Sequence, residues 1–167
     1  MRDFASRLET LHRYHEVDSP FGSIATHELG WFRREEWLQD ASFKRIMGYL
    51  MLVAENAHNM LIGAVNPMYP HFSELAAQKE VVASSGAFLS ENKLELMPMW
   101  SVSHWCASVF DFRDNTCHMF DPMQKKENYE DMQSKIIELL PMKARQLSFR
   151  RIKSPKQEDI SNCGLFC

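Results

Sequence analysis

From Trp37 the chain tightens into an apolar stripe. Phe43, Ile46, Met47, Leu50, Val53, Ala54 and Ala57 recur at spacings of three and four, and Asp40 stands where a helix N-cap belongs. A second, weaker helical pattern runs through Phe72, Leu75 and Ala76. After Gly86 the period changes. Leu94-Glu95-Leu96-Met97 alternates, and Val102 to Phe112 and Thr116 to Phe120 form two runs rich in aromatic and β-branched residues. Arg113-Asp114-Asn115 between them is turn chemistry, so the pair predicts a β-hairpin. A helix is predicted from about Lys126 to Leu140, with Tyr129, Met132, Ile136 and Leu139 or Leu140 on one face and Pro141 as its stop. A last strand, Gln146 to Ile152, follows. Residues 1–35 are polar and mixed in sign, with a short helix around Phe4 to His15 and a turn at Asp18-Ser19-Pro20. Helix, strands, helix, strand with an antiparallel hairpin predicts an α+β fold.

Composition narrows this to one ordinary domain. The 167 residues are 45% hydrophobic and 25% charged, with 6 Gly and 7 Pro, and carry no repeat or linker tract. A chain of this length buries roughly 70% of its unfolded surface, so its four cysteines are not needed as a scaffold. Nineteen basic against 22 acidic residues give a net charge of −3, which argues against a phosphate-tracking or anionic-membrane protein. Charges in Met1–Arg7 replace the apolar run of a secretory signal, and the most apolar stretch, Ile46 to Ala54, is too short to span a bilayer. The expectation is an intracellular protein of the nucleus or cytoplasm, with Cys106, Cys117, Cys163 and Cys167 as thiols.

Three groups could act as nucleophile, base and orienting acid: Cys163, His104 and Asp121. The hairpin adds geometry, because His104 lies near the start of its first strand and Asp121 at the end of its second, and antiparallel pairing brings those ends together. The midpoint of 104 and 121 falls just before the turn, so a bulge or longer loop is expected to adjust the register. A carboxylate fixing an imidazole beside a thiol is the arrangement that generates a thiolate near neutral pH. Gln157 and the backbone N–H of Cys163 could serve a developing oxyanion, and Gly164 would allow close approach. A metal site from His104, Cys106, Cys117 and His118 lacks the paired-cysteine spacing of structural zinc, and neighbouring Cys117 and His118 would point to opposite strand faces. No metal or cofactor is expected.

His104-Trp105, Asp121 seventeen residues later, and Gln157 ahead of Asn162-Cys163-Gly164 resemble the signature of the ubiquitin-like-protein proteases, the cysteine peptidases that process SUMO and remove it from conjugates. Trp37-Leu38-Gln39-Asp40 resembles the Trp-Leu-Asn-Asp segment that opens their catalytic domain. The resemblance covers roughly residues 35 to 167, and four blocks in the right order are far more specific than one. It implies a papain-like α+β fold with a central sheet between helices and a catalytic domain over 36–167. It also implies Cys163 as nucleophile, His104 as base and then acid, Asp121 as its orienter and Gln157 as an oxyanion donor. Trp37 and Trp105 would form a slot over a Gly-Gly tail, and Asp40 would contact a basic residue of that tail. The implied partner is a ubiquitin-like modifier or its conjugates, SUMO first, with no nucleic acid and no membrane.

Asn115-Thr116-Cys117, Phe120-Asp121-Pro122 and Cys163-Gly164-Leu165-Phe166-Cys167 resemble the adenovirus-type processing protease of the same clan, which ranks second. Effectors of this fold that cleave ubiquitin or transfer acetyl groups form a further branch. In the family the catalytic cysteine opens a buried helix and more chain follows, whereas here four residues follow Cys163. The resemblance therefore implies a domain lacking its C-terminal part, whose rival reading is a pseudo-protease that binds a modifier without cleaving it.

Overall fold

The computed structural model describes residues 15–26, 28, 40–101, 104–158 and 163. The Phe4 to His15 helix, the Trp37-Leu38-Gln39 segment and residues 164–167 fall outside them, His15 apart, as does the side chain of Asp40.

Element order is β1 (Glu16–Val17), β2 (Ile24–Ala25), α1 (Asp40–His58), β3 (Ile62–Ala64), a 3-10 turn at Tyr69–His71, and α2 (Leu75–Ser84). There follow β4 (Leu94–Ser101), β5 (His104–Asp111), β6 (Thr116–Phe120), α3 (Lys126–Leu139), α4 (Pro141–Ala144) and β7 (Ser148–Ile152). β1 and β2 form a small antiparallel ribbon around the Asp18-Ser19-Pro20 turn. The other strands form one mixed sheet in the order β3-β4-β5-β6-β7, parallel at both edges and antiparallel through the middle. Both predicted helices with strong stripes, the hairpin and the last strand are present, and the fold is α+β.

One sheet face carries the main core. Met97 and Met99 of β4, Cys106 and Phe110 of β5, and Cys117 and Met119 of β6 pack with Tyr129, Met132, Ile136 and Leu139 of α3. The alternation of strand side chains puts His104 on that same face, at the β5 end, and carries Asp121 there from β6. On the other face Phe43 of α1 packs with Trp105, Trp100 and Cys163 in a second cluster. The sheet thus separates a core that holds the acid and base from one that holds the thiol, and they meet at the start of β5.

Two features depart from the sequence expectation. The α1 stripe is buried only in part: Phe43, Met47 and Ala54 are covered, whereas Leu50 and Val53 are 45% and 37% exposed. β4 also runs past the alternating segment to Ser101, through Pro98. β3 pairs only with Leu94–Leu96, so Pro98 lies where that side of β4 has no partner strand and a missing N–H is tolerated.

Candidate active site

His104 opens β5 and Asp121 follows β6. The strands pair with Asp111 opposite Thr116 and Ala107 opposite Phe120, across a turn in which Asn115 takes a positive φ of 54°. Continuing the register one step places Asp121 opposite Cys106, with His104 its diagonal neighbour on the same face. No bulge is needed. Imidazole and carboxylate span the diagonal, and Nε2 of His104 lies 2.8 Å from Oδ1 of Asp121. The direct cross-strand neighbour, Cys106, has its Sγ 3.9 Å from the same oxygen.

Asp121 is fully buried and surrounded by donors. Its Oδ1 also accepts from the Met123 N–H at 2.9 Å, and Oδ2 accepts from the Lys125 N–H at 2.7 Å and from Asn128 Nδ2 at 2.9 Å. Burial alone would raise its pKa. The hydrogen bonds from His104, Lys125, Met123 and Asn128 outweigh it and hold the carboxyl below the usual range. These donors come from the turn and first helical turn after Asp121, so α3 is anchored on the same carboxylate that faces the histidine.

The imidazole has partners on two sides. With Nε2 committed to Asp121, Nδ1 is the nitrogen left to face Cys163, whose thiol lies near enough to shift the imidazole pKa. Burial pulls the His104 pKa down, but the bonds to Asp121 and Cys163 and their negative charge push it up to about 9. In the tautomer this implies, Nε2–H donates to the carboxylate and the Nδ1 lone pair faces the thiol. Cys163 is itself 1% exposed.

The hairpin that presents His104 is fixed from behind. Ser101, paired with His104, donates its hydroxyl to Asp131 of α3, and Lys135 Nζ bonds the Trp100 carbonyl at 2.9 Å while pairing with Asp131 at 2.7 Å. Gln157 reaches the site from the other direction. It is buried, and its backbone N–H donates to the carbonyl of Pro122, the residue after Asp121, at 2.8 Å.

Trp105 lies on the opposite face from His104, with ring centroids 4.3 Å from Phe43 and 4.9 Å from Trp100. It is buried in the cluster that includes Cys163. Of the metal candidates, His104 and Cys106 do approach, together with Asp121, with ligand atoms within 4.8 Å of one another. Both oxygens of Asp121 are occupied by donors, so the trio as it stands is a hydrogen-bonded network. Cys117 lies four residues along β6 from Asp121, and burial pushes its thiol up to about 12.

No protein-family model matches the sequence, and no curated protein matches it. Solved structures do. The catalytic domain of the Ulp1-like SUMO protease of Chaetomium thermophilum aligns with 99% of this chain and 74% of its own, at 17% identity and a TM-score of 0.69. The yeast Ulp1 protease domain in complex with Smt3 aligns with 98% of this chain and 77% of its own, at 12% identity and 0.68. A de-sumoylating protease aligns with 90% and 68%, at 13% identity and 0.65. The chain has the fold of the Ulp1-type SUMO proteases.

In this Ulp1-type fold the structure joins His104 to Asp121 by a hydrogen bond, places Cys163 where it shifts the imidazole pKa, and ties the Gln157 backbone to Pro122, the residue after Asp121. Trp105 joins the Cys163 cluster. Trp37 lies outside the described residues, and Asp40 is the first residue of α1. Sequence reasoning missed Asn128. Its only sequence signal is an amide in the first turn of the helix that follows Asp121, and nothing in a helical pattern marks such a residue as a carboxylate partner.

Proposed function

We propose that this chain is a cysteine peptidase or isopeptidase that cleaves after the C-terminal Gly-Gly of a ubiquitin-like modifier, with SUMO as the first candidate. The observation that carries this reading is the imidazole of His104 held between the Asp121 carboxylate and the Cys163 thiol. Within it, the catalytic unit spans residues 36–167.

The steps follow from that arrangement. Nδ1 of His104 takes the thiol proton, and the raised imidazole pKa supports an imidazolium beside a thiolate at neutral pH. The thiolate attacks the glycine carbonyl carbon, and the oxyanion is met by the Cys163 N–H and the Gln157 side chain. His104 passes its proton to the leaving amine, and a water it then deprotonates releases the thioester. Asp121 stays ionised throughout and holds the ring orientation. Trp105 and Trp37 would flank the glycine tail, where indole walls leave no room for a Cβ, and Asp40 would meet a basic residue of the tail. No helix among the described residues is long and apolar enough to cross a membrane.

The test is covalent capture, with SUMO and ubiquitin each carrying a C-terminal electrophile. An adduct on Cys163 that disappears in Cys163→Ala and slows strongly in His104→Ala supports the reading, and the faster of the two probes names the modifier. Absence of any adduct on folded protein overturns it.

A further inference from the structure

Beside the site, on the far side of Asp121, lies a cleft of about 340 Å³ lined by Gln124, Lys126, Tyr129, Arg151, Lys153 and Lys156. Among the described residues that line it, four of six are cationic and none is acidic. In a chain of net charge −3 such a concentration is a local field, opposite in sign to the whole. The four cations are exposed. Only Lys126 has an ion-pair partner among the described residues, Glu130 at 3.3 Å on the solvent side of α3.

The cleft is shaped as well as charged. The guanidinium of Arg151 sits 5.0 Å from the centre of the Tyr129 ring, which fixes one wall. Tyr129 is tied by its hydroxyl to the Ile152 carbonyl at 2.7 Å and to Gln124 Oε1 at 3.0 Å. Gln124 in turn donates to the carbonyls of Asp121 and Ile152. The loop carrying Lys153 and Lys156 leads straight to Gln157, whose N–H is bonded to Pro122. Cleft and candidate active site therefore share their framework at Asp121 and Pro122.

We propose that this cationic cleft docks an acidic segment of the protein substrate, placing Asp or Glu side chains among Lys126, Arg151, Lys153 and Lys156. That the segment belongs to the substrate rests on the peptidase reading. That it is a polypeptide is favoured by two further observations. Tyr129 is only 3% exposed and covered by Arg151, so the cleft offers no open aromatic platform for stacking bases. The acidic balance of the rest of the molecule opposes tracking along a polyanion.

The experiment is fluorescence anisotropy on the full chain with three labelled probes of equal length: an Asp/Glu-rich peptide, the same peptide with Asn/Gln in place of the acids, and an oligo-thymidylate. The variant combines Lys126→Glu, Lys153→Glu and Lys156→Glu, three exposed side chains that leave the Arg151–Tyr129 contact intact. The expected result is binding of the acidic peptide alone, weakened roughly tenfold or more by the triple reversal and by raised salt. Equal binding of the neutral peptide, tighter binding of the oligonucleotide, or no effect of the reversal in a variant with unchanged circular dichroism overturns it. Because this readout is affinity, it separates from the peptidase reading. Acidic-peptide binding without Cys163 capture keeps the cleft and removes the enzyme, whereas capture without such binding does the reverse.

Discussion

Asn128 shows how much of the site rests on a side chain that touches neither thiol nor substrate. Its amide supplies one of the donors that keep the buried Asp121 ionised. Asn128→Ala is expected to lower unfolding free energy by roughly 1–3 kcal/mol, measured by urea titration, and to move the pH profile of Cys163 alkylation, which a purely structural loss would leave in place. Asp121→Asn removes the charge while keeping the shape. The His104 pKa should then fall from about 9 toward its ordinary value, followed by NMR, and capture should slow by roughly 10²–10⁴-fold. At this scale turn residues and spacing marked His104 and Asp121 as candidates at neighbouring strand ends, whereas Cys163 stood out through the motif resemblance. The sequence did not reveal the diagonal register, which depends on how many residues the turn consumes.

At the scale of elements, β3 is held by a close approach that only glycine permits. A Cβ at Gly63 would collide with Glu95 Oε2, the Ala87 carbonyl and Asn92 Nδ2. Gly63→Ala should cost roughly 3 kcal/mol or more in thermal or chemical unfolding and expose the β3 edge to hydrogen exchange first. In α1 the two sides of the helix should behave differently. Phe43→Ala removes a buried ring against Trp105 and should cost roughly 3–5 kcal/mol, while Leu52→Ala, at a 55% exposed position, should stay within roughly 0.5 kcal/mol. Periodicity placed Leu50 and Val53 on the apolar stripe of α1, since it reports which residues share a face but not how far a neighbour extends over that face. The short strands β1, β2 and β3 escaped for a related reason. Two or three residues hold no period, and they are strands only because a partner lies alongside.

At the scale of the whole molecule, two buried groups make stability fall as pH rises. Glu95 is fully enclosed, with Oε1 accepting from Asn92 Nδ2 at 2.9 Å and Oε2 without a hydrogen bond among the described residues. Burial pushes its pKa up to about 8, so the fold keeps a proton that the unfolded chain releases near 4.5, and unfolding gains ground across that window. His104 adds the same sign between 6.5 and about 9. Asp121, held low, acts oppositely, and its contribution is lost as pH falls through its folded value. The urea midpoint is therefore expected to decline between about pH 4.5 and 9, and Glu95→Gln should flatten the lower part of that slope. A midpoint that climbs across this range would contradict both assignments.

The sequence by itself determined the α+β class, the two striped helices and the hairpin, because these follow from local period and turn chemistry, and it named His104, Asp121 and Cys163 as candidates. Only the tertiary structure decided that Cys163, more than forty residues from Asp121, meets the imidazole at the strand end where two cores join. It alone also gathered Lys126 of α3 with Arg151, Lys153 and Lys156 from the β7 end into one cleft. Arg151, Lys153 and Lys156 already stand close together in the chain, and Lys126 joins them only in space. Their common field arises because the parallel pairing of β6 and β7 brings the end of one strand beside the start of the next helix, and charge acts through distance in space rather than along the sequence.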